Sequence, residues 1–232
     1  MKRYRPLVVL GAVCKFYSRP IRHWAESRGG RGPNFRLGPL TLPGHRLILR
    51  SPRLADASAW RFLRLRDQQS IEPFWVSSTR PWAERHTEGA WVDDLLYMRK
   101  EARAGRALPL VIEVDGRFVG QLNLDHIDRC AKNAEMGIWL DSECRNLGIA
   151  TTAGNLLFDY VFNTLGLRRV TAPVCVDNRR AEHSAKQFGF RREGTMVSYL
   201  DVGGQRKDHD LYAITSEMWA VRSGGGSFAS TQ

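Results

Sequence analysis

Glu135–Tyr160 reads EMGIWLDSECRNLGIATTAGNLLFDY, and this stretch decides the fold. An apolar run, Met136 to Leu140, gives way to a short polar turn and then to Arg145-Asn146-Leu147-Gly148-Ile149-Ala150. Ala153, Leu156, Leu157, Tyr160 and Val161 follow at helical spacing. The order is strand, loop, helix, with small residues where the loop meets the helix. The first N–H groups of a helix have no internal partner, and the helix dipole adds partial positive charge there. A phosphate or pyrophosphate is well held at such an end. Gly148 and Ala150 would let the backbone approach it closely. The pattern R-x-x-G-x-A is neither the G-x-x-x-x-G-K-[ST] of nucleotide triphosphatases nor the G-x-G-x-x-G of dinucleotide folds.

A chain of 232 residues is long enough for one substantial domain with appendages. Its 43% hydrophobic and 25% charged content is ordinary for a globular chain. The net charge of +11 is unevenly spread: residues 1–50 hold eleven Lys/Arg against Glu26 alone, and the remainder holds 24 basic and 23 acidic residues. Cys14, Cys130, Cys144 and Cys175 show no C-x-x-C or zinc-like spacing and read as free thiols in a reducing compartment. Cys144, beside the loop, has no paired histidine to make it a nucleophile. None of His126, His183 and His209 is spaced as a metal ligand, so no metal is expected. Leu7 to Val13 is a short apolar core interrupted by Lys15, without an A-x-A cleavage site, and no stretch approaches transmembrane length. The expectation is a cytoplasmic protein without a membrane partner, monomeric or homodimeric.

Residues 1–44, rich in Arg, Gly and Pro, read as a partly irregular basic arm with a short helix near Tyr17–Trp24. Clustered arginine neutralises phosphate regardless of base sequence, so the arm suits an RNA or ribosome contact; an extension without a role is the equal alternative. Residues 45–220 form the domain. Leu47-Ile48-Leu49 is a first strand, and Leu54 to Leu65 a helix. A loop with Pro73, Pro81 and three aromatics follows, then a helix over Thr87–Ala104 closed by Gly105. Asp115-Gly116 between two alternating apolar runs marks a tight hairpin. A strand over Arg168–Val176, a short helix ending at Gly189, and two strands flanking Gly203-Gly204 complete the domain. Residues 221–232 read as a Gly/Ser-rich disordered tail. The fold class is α/β, with a mostly antiparallel first half and one βαβ crossover around the central loop.

Several strings in this order resemble the GNAT N-acyltransferase superfamily and its RimJ/RimL-type branch of protein N-terminal acetyltransferases. Arg145–Ala150 resembles the acyl-CoA loop, [QR]-x-x-G-x-[GA]. Glu135–Leu140 resembles the strand E-x-G-Y-W-L, Asp177-Asn178 with Gly189-Phe190 the segment D-N-x-x-S…G-F, and Arg206–Thr215 the closing strand W-R-D-H-x-L-x-A-L-T. The resemblance covers about residues 45–216. It implies a mixed, mostly antiparallel sheet of about seven strands with a splayed central parallel pair, and acetyl-CoA as cosubstrate. Trp139 and Leu140 would contact the pantetheine arm. Arg145, Asn146, Leu147, Gly148, Ile149, Ala150 and Thr151 would hold the pyrophosphate, and Asn178 would bond to pantetheine amides. The acceptor implied is the N-terminal amine of a protein, ribosomal proteins being the branch's substrate class.

Acetyl transfer to an amine requires a neutral amine, donors for the oxyanion and a proton for the thiolate. An α-amine with a pKa near 8 needs only a modest base. Glu135, at the mouth of the splayed strand, is the candidate base; the alternative is a carboxylate paired with a surface arginine. The branch's serine after D-N is replaced here by Ala181, so Ser184 and Tyr199 are the candidates for thiolate protonation. Asp208 and His209 read as ordering the last strand or the peptide-binding loop, and neither is read as catalytic. Trp75, Trp82 and Trp91 read as core packing before acceptor lining. Two rivals stand beside this reading. One is the same chemistry on a small amine (aminoglycoside, polyamine or amino acid), for which residues 54–105 offer no acidic excess. The other is a non-catalytic CoA-sensing or ribosome-binding module, kept open by Ala181.

Overall fold

The computed structural model describes residues 35–224, so the helix expected near Tyr17–Trp24 and most of the basic arm lie outside the described residues. Eight strands form one sheet: β1 (Arg36–Leu42), β2 (His45–Arg50), β3 (Leu108–Val114), β4 (Arg117–Asp128), β5 (Asn133–Leu140), β6 (Arg169–Cys175), β7 (Arg191–Val202) and β8 (Gln205–Thr215). Their order across the sheet is β1-β2-β3-β4-β5-β6-β8-β7. The helices are α1 (Ala57–Arg66), α2 (Gln68–Ile71), α3 (Trp82–Arg85), α4 (Glu88–Arg103), α5 (Ile149–Asp159), α6 (Arg179–Phe188) and α7 (Ser216–Gly224).

The expectation of about seven strands falls one short. The extra strand, β1, lies inside the segment assigned to the irregular arm and pairs antiparallel with β2. Leu37 and Leu42 pack on the main core, but Gly38-Pro39 between them hides the alternation that marks a strand. Proline, which has no N–H to donate, is tolerated here because β1 is an edge strand. The other end is also more ordered than expected. Helix α7 runs to Gly224, into the stretch assigned to the tail, because Trp219 is buried against Phe158 at a ring separation of 5.6 Å. Residues 225–232 lie outside the description.

Where the local code is strong, the elements form as expected. Asp115 and Gly116 turn the β3–β4 hairpin with φ of 50° and 79°, the pair of positive values a primed turn requires. Thr87 caps α4 by accepting the Ala90 N–H at 3.1 Å, and Gly105, at φ 74°, ends it. Trp91 and Leu95 on its inner face are fully buried.

The sheet carries a layer on each face. Helices α1 and α4 cover one face of β3–β4 around Trp60, Leu63, Trp91, Val111 and Phe118. The other face packs on α5, α6 and α7 through Leu110, Leu122, Leu157, Phe158, Phe188 and Trp219, each large apolar side chain contributing about 1.5–3 kcal/mol on burial. Helix α5 meets α6 at Gly154, where an added Cβ would come within 2.5 Å of the Phe188 ring. Gly154→Val is therefore expected to cost about 1–3 kcal/mol through overpacking, read as a lowered Tm.

The feature that positions the site is the junction of β5 and β6. These strands run parallel but pair only at Asn133–Arg169, Ala134–Val170 and Glu135–Thr171. Beyond Glu135, β5 continues along β4 and β6 along β8, so the sheet splits down its middle.

Candidate active site

The split opens a cleft of about 880 Å³, a volume typical of small-molecule sites. Ile138, Trp139 and Leu140 of β5 form one wall, and Ala172 and Val174 of β6 the other. The first turns of α5 and α6 close one end, and Ser70, Phe74 and Trp75 line the opposite side. Among the described lining residues there is no aspartate or glutamate, whereas Arg145, Arg179 and Arg180 all face the cleft.

The α5 end is built to receive anionic oxygen. Gly148 is its N-cap in the left-handed region (φ 73°), with no side-chain cap, and the first helical bond is Thr152 N–H to Gly148 O at 2.9 Å. The N–H groups of Ile149, Ala150 and Thr151 precede that bond and have no helical acceptor. Nothing lies within 4 Å of a Cβ placed on Gly148, so the space in front of these donors is open. Burial, and then the neighbouring Arg180, lower the Arg145 guanidinium below its ordinary range. Two like charges beside a donor-rich helix end fit the phosphates of CoA.

This loop is fastened to the helices on the far side of the cleft. Arg66 bridges Asp67 and Asp141, while Asp67 accepts both the N–H and the hydroxyl of Ser142, at 2.8 and 2.7 Å. Burial alone would raise the Asp67 carboxyl, but Arg66 and Ser142 outweigh it and hold it below the usual range. Arg145 Nη2 donates to Ser70 Oγ at 2.9 Å, so the loop and α2 are joined directly. Cys144 also lines the cleft, and its thiol is raised by burial and then Asp141, which keeps it protonated and un-nucleophilic.

On the face that carries Trp139, β5 also places Glu135 and Gly137, because side chains alternate along a strand. Gly137 has nothing within 4 Å of its Cβ position, which leaves a gap between Glu135 and Trp139. Glu135 stands at the vertex of the split, opposite Asp125 across the β4–β5 ladder. Burial, opposed by His126 and reinforced by Asp125, raises the Glu135 carboxyl above its ordinary range. Tyr199 belongs to the same neighbourhood: burial and then Glu135 raise its hydroxyl, and its ring stands edge-on to His209 at 5.5 Å.

The loop after α2 is clasped to the β7–β8 turn. Val76 bridges Val202, Ser77 N–H donates to Asp201 O at 2.9 Å, and Gly203 N–H donates to Trp75 O at 3.1 Å. A Cβ on Gly203 would sit 2.5 Å from Pro73 O, so only glycine lets the two segments meet. Gly203→Ala is expected to part this clasp, raising the acceptor KM while leaving CoA affinity within about twofold, a split that steady-state kinetics and calorimetry would read.

The residues singled out from sequence are placed as follows. Trp139, Leu140, Arg145, Asn146, Gly148, Ile149, Ala150, Thr151, Asn178 and Ser184 line the cleft. Leu147 does not: it is 50% exposed and points away. Asn178 lines it with a divided role, since its Oδ1 caps α6 by accepting the Ala181 N–H at 3.1 Å, leaving the amide NH₂ for a ligand. Glu135 and Tyr199 sit beside the vertex and do not line the cleft, whereas Ser184 does. Trp82 and Trp91 are core, as read; Trp75, 36% exposed, lines the cleft instead. Ser70 and Arg180 were missed, and His209, read as ordering the last strand, also lines the cleft as a buried residue of β8 whose neighbours, Cys175 and Met196, come from other strands. Among the described residues no group of three His, Cys, Asp or Glu could hold a metal, and no helix is long and apolar enough to cross a membrane.

A mixed sheet split at one parallel pair, with a phosphate-ready helix end in the split, is the architecture of an acyl-CoA-dependent transferase. Residues 46–191 match the family model of the acetyltransferase (GNAT) domain, and the chain belongs to that family, whose acetyltransferases use acetyl-CoA. Mycobacterium smegmatis RimJ, solved in complex with CoA-disulfide, is similar with 36% identity and a TM-score of 0.76, covering 84% of this chain and 96% of that one. Spermidine N(1)-acetyltransferase of Escherichia coli (strain K12) is 32% identical over 42% of this chain and 53% of its own length. The ribosomal-protein-serine acetyltransferase of the same strain is 28% identical over 47% and 61%. The chain thus spans about half the length of the curated relatives it matches.

Proposed function

We propose that the chain transfers the acetyl group of acetyl-CoA to the N-terminal α-amine of a protein, a ribosomal protein being the favoured acceptor. The observation that carries this reading is the charge of the cleft. It offers two raised carboxylates at the vertex, Glu135 and Asp125, and no acidic residue along the described lining, so positive charge is met at one point only, an arrangement suited to a single amine and unsuited to an extended polycation. The clasp between the α2–α3 loop and the β7–β8 turn fixes Trp75, which lines the cleft. Similarity to a ribosomal-protein-serine acetyltransferase supports the same class of acceptor. The eleven Lys/Arg among residues 1–50 suit docking on ribosomal RNA.

Acetyl-CoA supplies an activated acyl group with a thiol leaving group. Of the chain's own residues, the N–H groups at the start of α5, with Arg145, bind phosphate. The backbone N–H groups along the open edge of β5 are donors for oxyanion charge. Glu135 takes the proton of the amine held over Gly137, and Ser184, the candidate acid that lines the cleft, returns one to the thiolate.

A second reading, a polyamine acceptor, is favoured by one observation: Asp125 places a second carboxylate next to Glu135. Thiol release from acetyl-CoA with peptides bearing free N-terminal Ser, Ala or Met, beside spermidine and aminoglycosides, tests both. Turnover of peptides, abolished when the α-amine is blocked, supports the proposal. Turnover of spermidine alone would move the function to the second reading, and CoA binding without any turnover to a sensing module.

A further inference from the structure

Arg64, on α1, is 2% exposed, and its Nε and Nη1 are buried without a hydrogen-bond partner. Its guanidinium is stacked between two indoles, with Cζ 3.8 Å from the Trp75 ring centre and 4.1 Å from that of Trp139. Both rings line the cleft. A charge this deep is ordinarily matched by a carboxylate in contact, because an unpaired buried ion is costly. Among the described residues Arg64 has no ion pair; Asp94 on α4 acts on it from beyond contact distance. Burial, only partly opposed by Asp94, lowers it to about 9, so it stays charged at neutral pH. His86, lowered to about 4 by burial, is neutral there and neither adds to nor cancels that charge.

We infer that Arg64 is a charge filter for the acceptor, setting specificity against any group whose positive charge extends beyond the single reacting amine. The inference rests on the acyl-transfer reading and deepens it. The reacting amine lies over Gly137, two residues from Glu135 and two from Trp139, about 7 Å along the strand from each. Its own charge is met by Glu135 and Asp125. Any further charge against the outer surfaces of Trp75 or Trp139 lies roughly 8 Å from the guanidinium, one ring thickness further out than the stacking distances. No carboxylate of the described lining compensates it there. The indoles exclude water between the two charges, so salt screens this repulsion less than a surface pair. Each extra positive charge is expected to lower kcat/KM by ~10-fold, and a carboxylate in the same place to raise it. Arg64 acts through its field and touches no reacting atom; it is a specificity residue.

The test measures kcat/KM of the full chain with three peptides that share an N-terminal Ser and carry Asp, Ala or Lys second, and with spermidine. The wild type is expected to rank them Asp, Ala, Lys, spermidine. Arg64→Gln is expected to compress that range by ~10-fold or more, and Arg64→Lys, which keeps the charge without the planar stack, to preserve the order. Asp94→Asn, an exposed change that removes the opposing charge, is expected to widen the range, and it serves where Arg64→Gln does not fold. A range unchanged in a folded Arg64→Gln or in Asp94→Asn, or equal compression by Gln and Lys, overturns the inference. So does a wild-type preference for spermidine. Absence of turnover on every acceptor instead sinks the transfer reading. Calorimetry with spermidine and CoA then decides on Arg64: binding by the wild type refutes the filter, and binding only by Arg64→Gln supports it.

Discussion

Glu135→Gln is expected to lower kcat by ~10²–10⁴-fold while leaving CoA affinity unchanged. Gln keeps the shape at the vertex of the split and loses only the ability to take a proton. In the wild type, burial and Asp125 raise this carboxyl, bringing its basicity closer to that of the amine it serves. The acid limb of kcat/KM should therefore fall at a pH above the ordinary glutamate value, and the Gln variant should lack that limb. Stability moves the other way. A carboxyl raised in the folded state binds its proton more readily folded than unfolded, so its contribution is lost as pH rises from the unfolded pKa through the folded one. The variant should accordingly match the wild type in acid and have the higher Tm near neutral pH. A kcat within a few fold of wild type, or a Tm reduced at neutral pH, would remove Glu135 from the base role.

Gly148→Trp is expected to weaken CoA binding by on the order of 100-fold or more, equivalent to losing one or two charge-assisted hydrogen bonds. At φ 73° any side chain costs about 1–2 kcal/mol, and the open space before the Ile149–Thr151 N–H groups is where the indole would lie. Gly148→Ala separates the two effects, since it carries the backbone cost with only a methyl in the cradle. Calorimetric titration with CoA reads both. Unchanged affinity in a folded Trp variant would show that the phosphates bind elsewhere.

The parts legible in the sequence are those whose cause is local. Asp115-Gly116, the Gly105 cap, and the glycine and alanine at the start of α5 each act within a few residues, and each is legible in the sequence. Strand β1 escaped because Gly38-Pro39 interrupts its alternation. Ser70 escaped for another reason: its bond to Arg145 spans 75 residues of sequence, and no periodicity records such a meeting. Arg64 sits among the inward positions of α1, where a charged residue reads as an interruption of the apolar face. Only the positions of Trp75 and Trp139 on either side of it give the cation a function. Tyr199 and Ser184 were proposed for one task, yet the fold divides them, one beside Glu135 and one along the cleft.

The three rungs that join β5 to β6 make the sheet two mechanical bodies with a seam. Along that seam the alternate amide hydrogens of β5 beyond Glu135 that point away from β4 have solvent where a neighbouring strand would stand. In deuterated water they should exchange within seconds, while the amides of β4 facing β3 remain protected. Occupation of the seam would give those donors acceptors and bridge the bodies. The protected region would then spread from two separate patches into one continuous block.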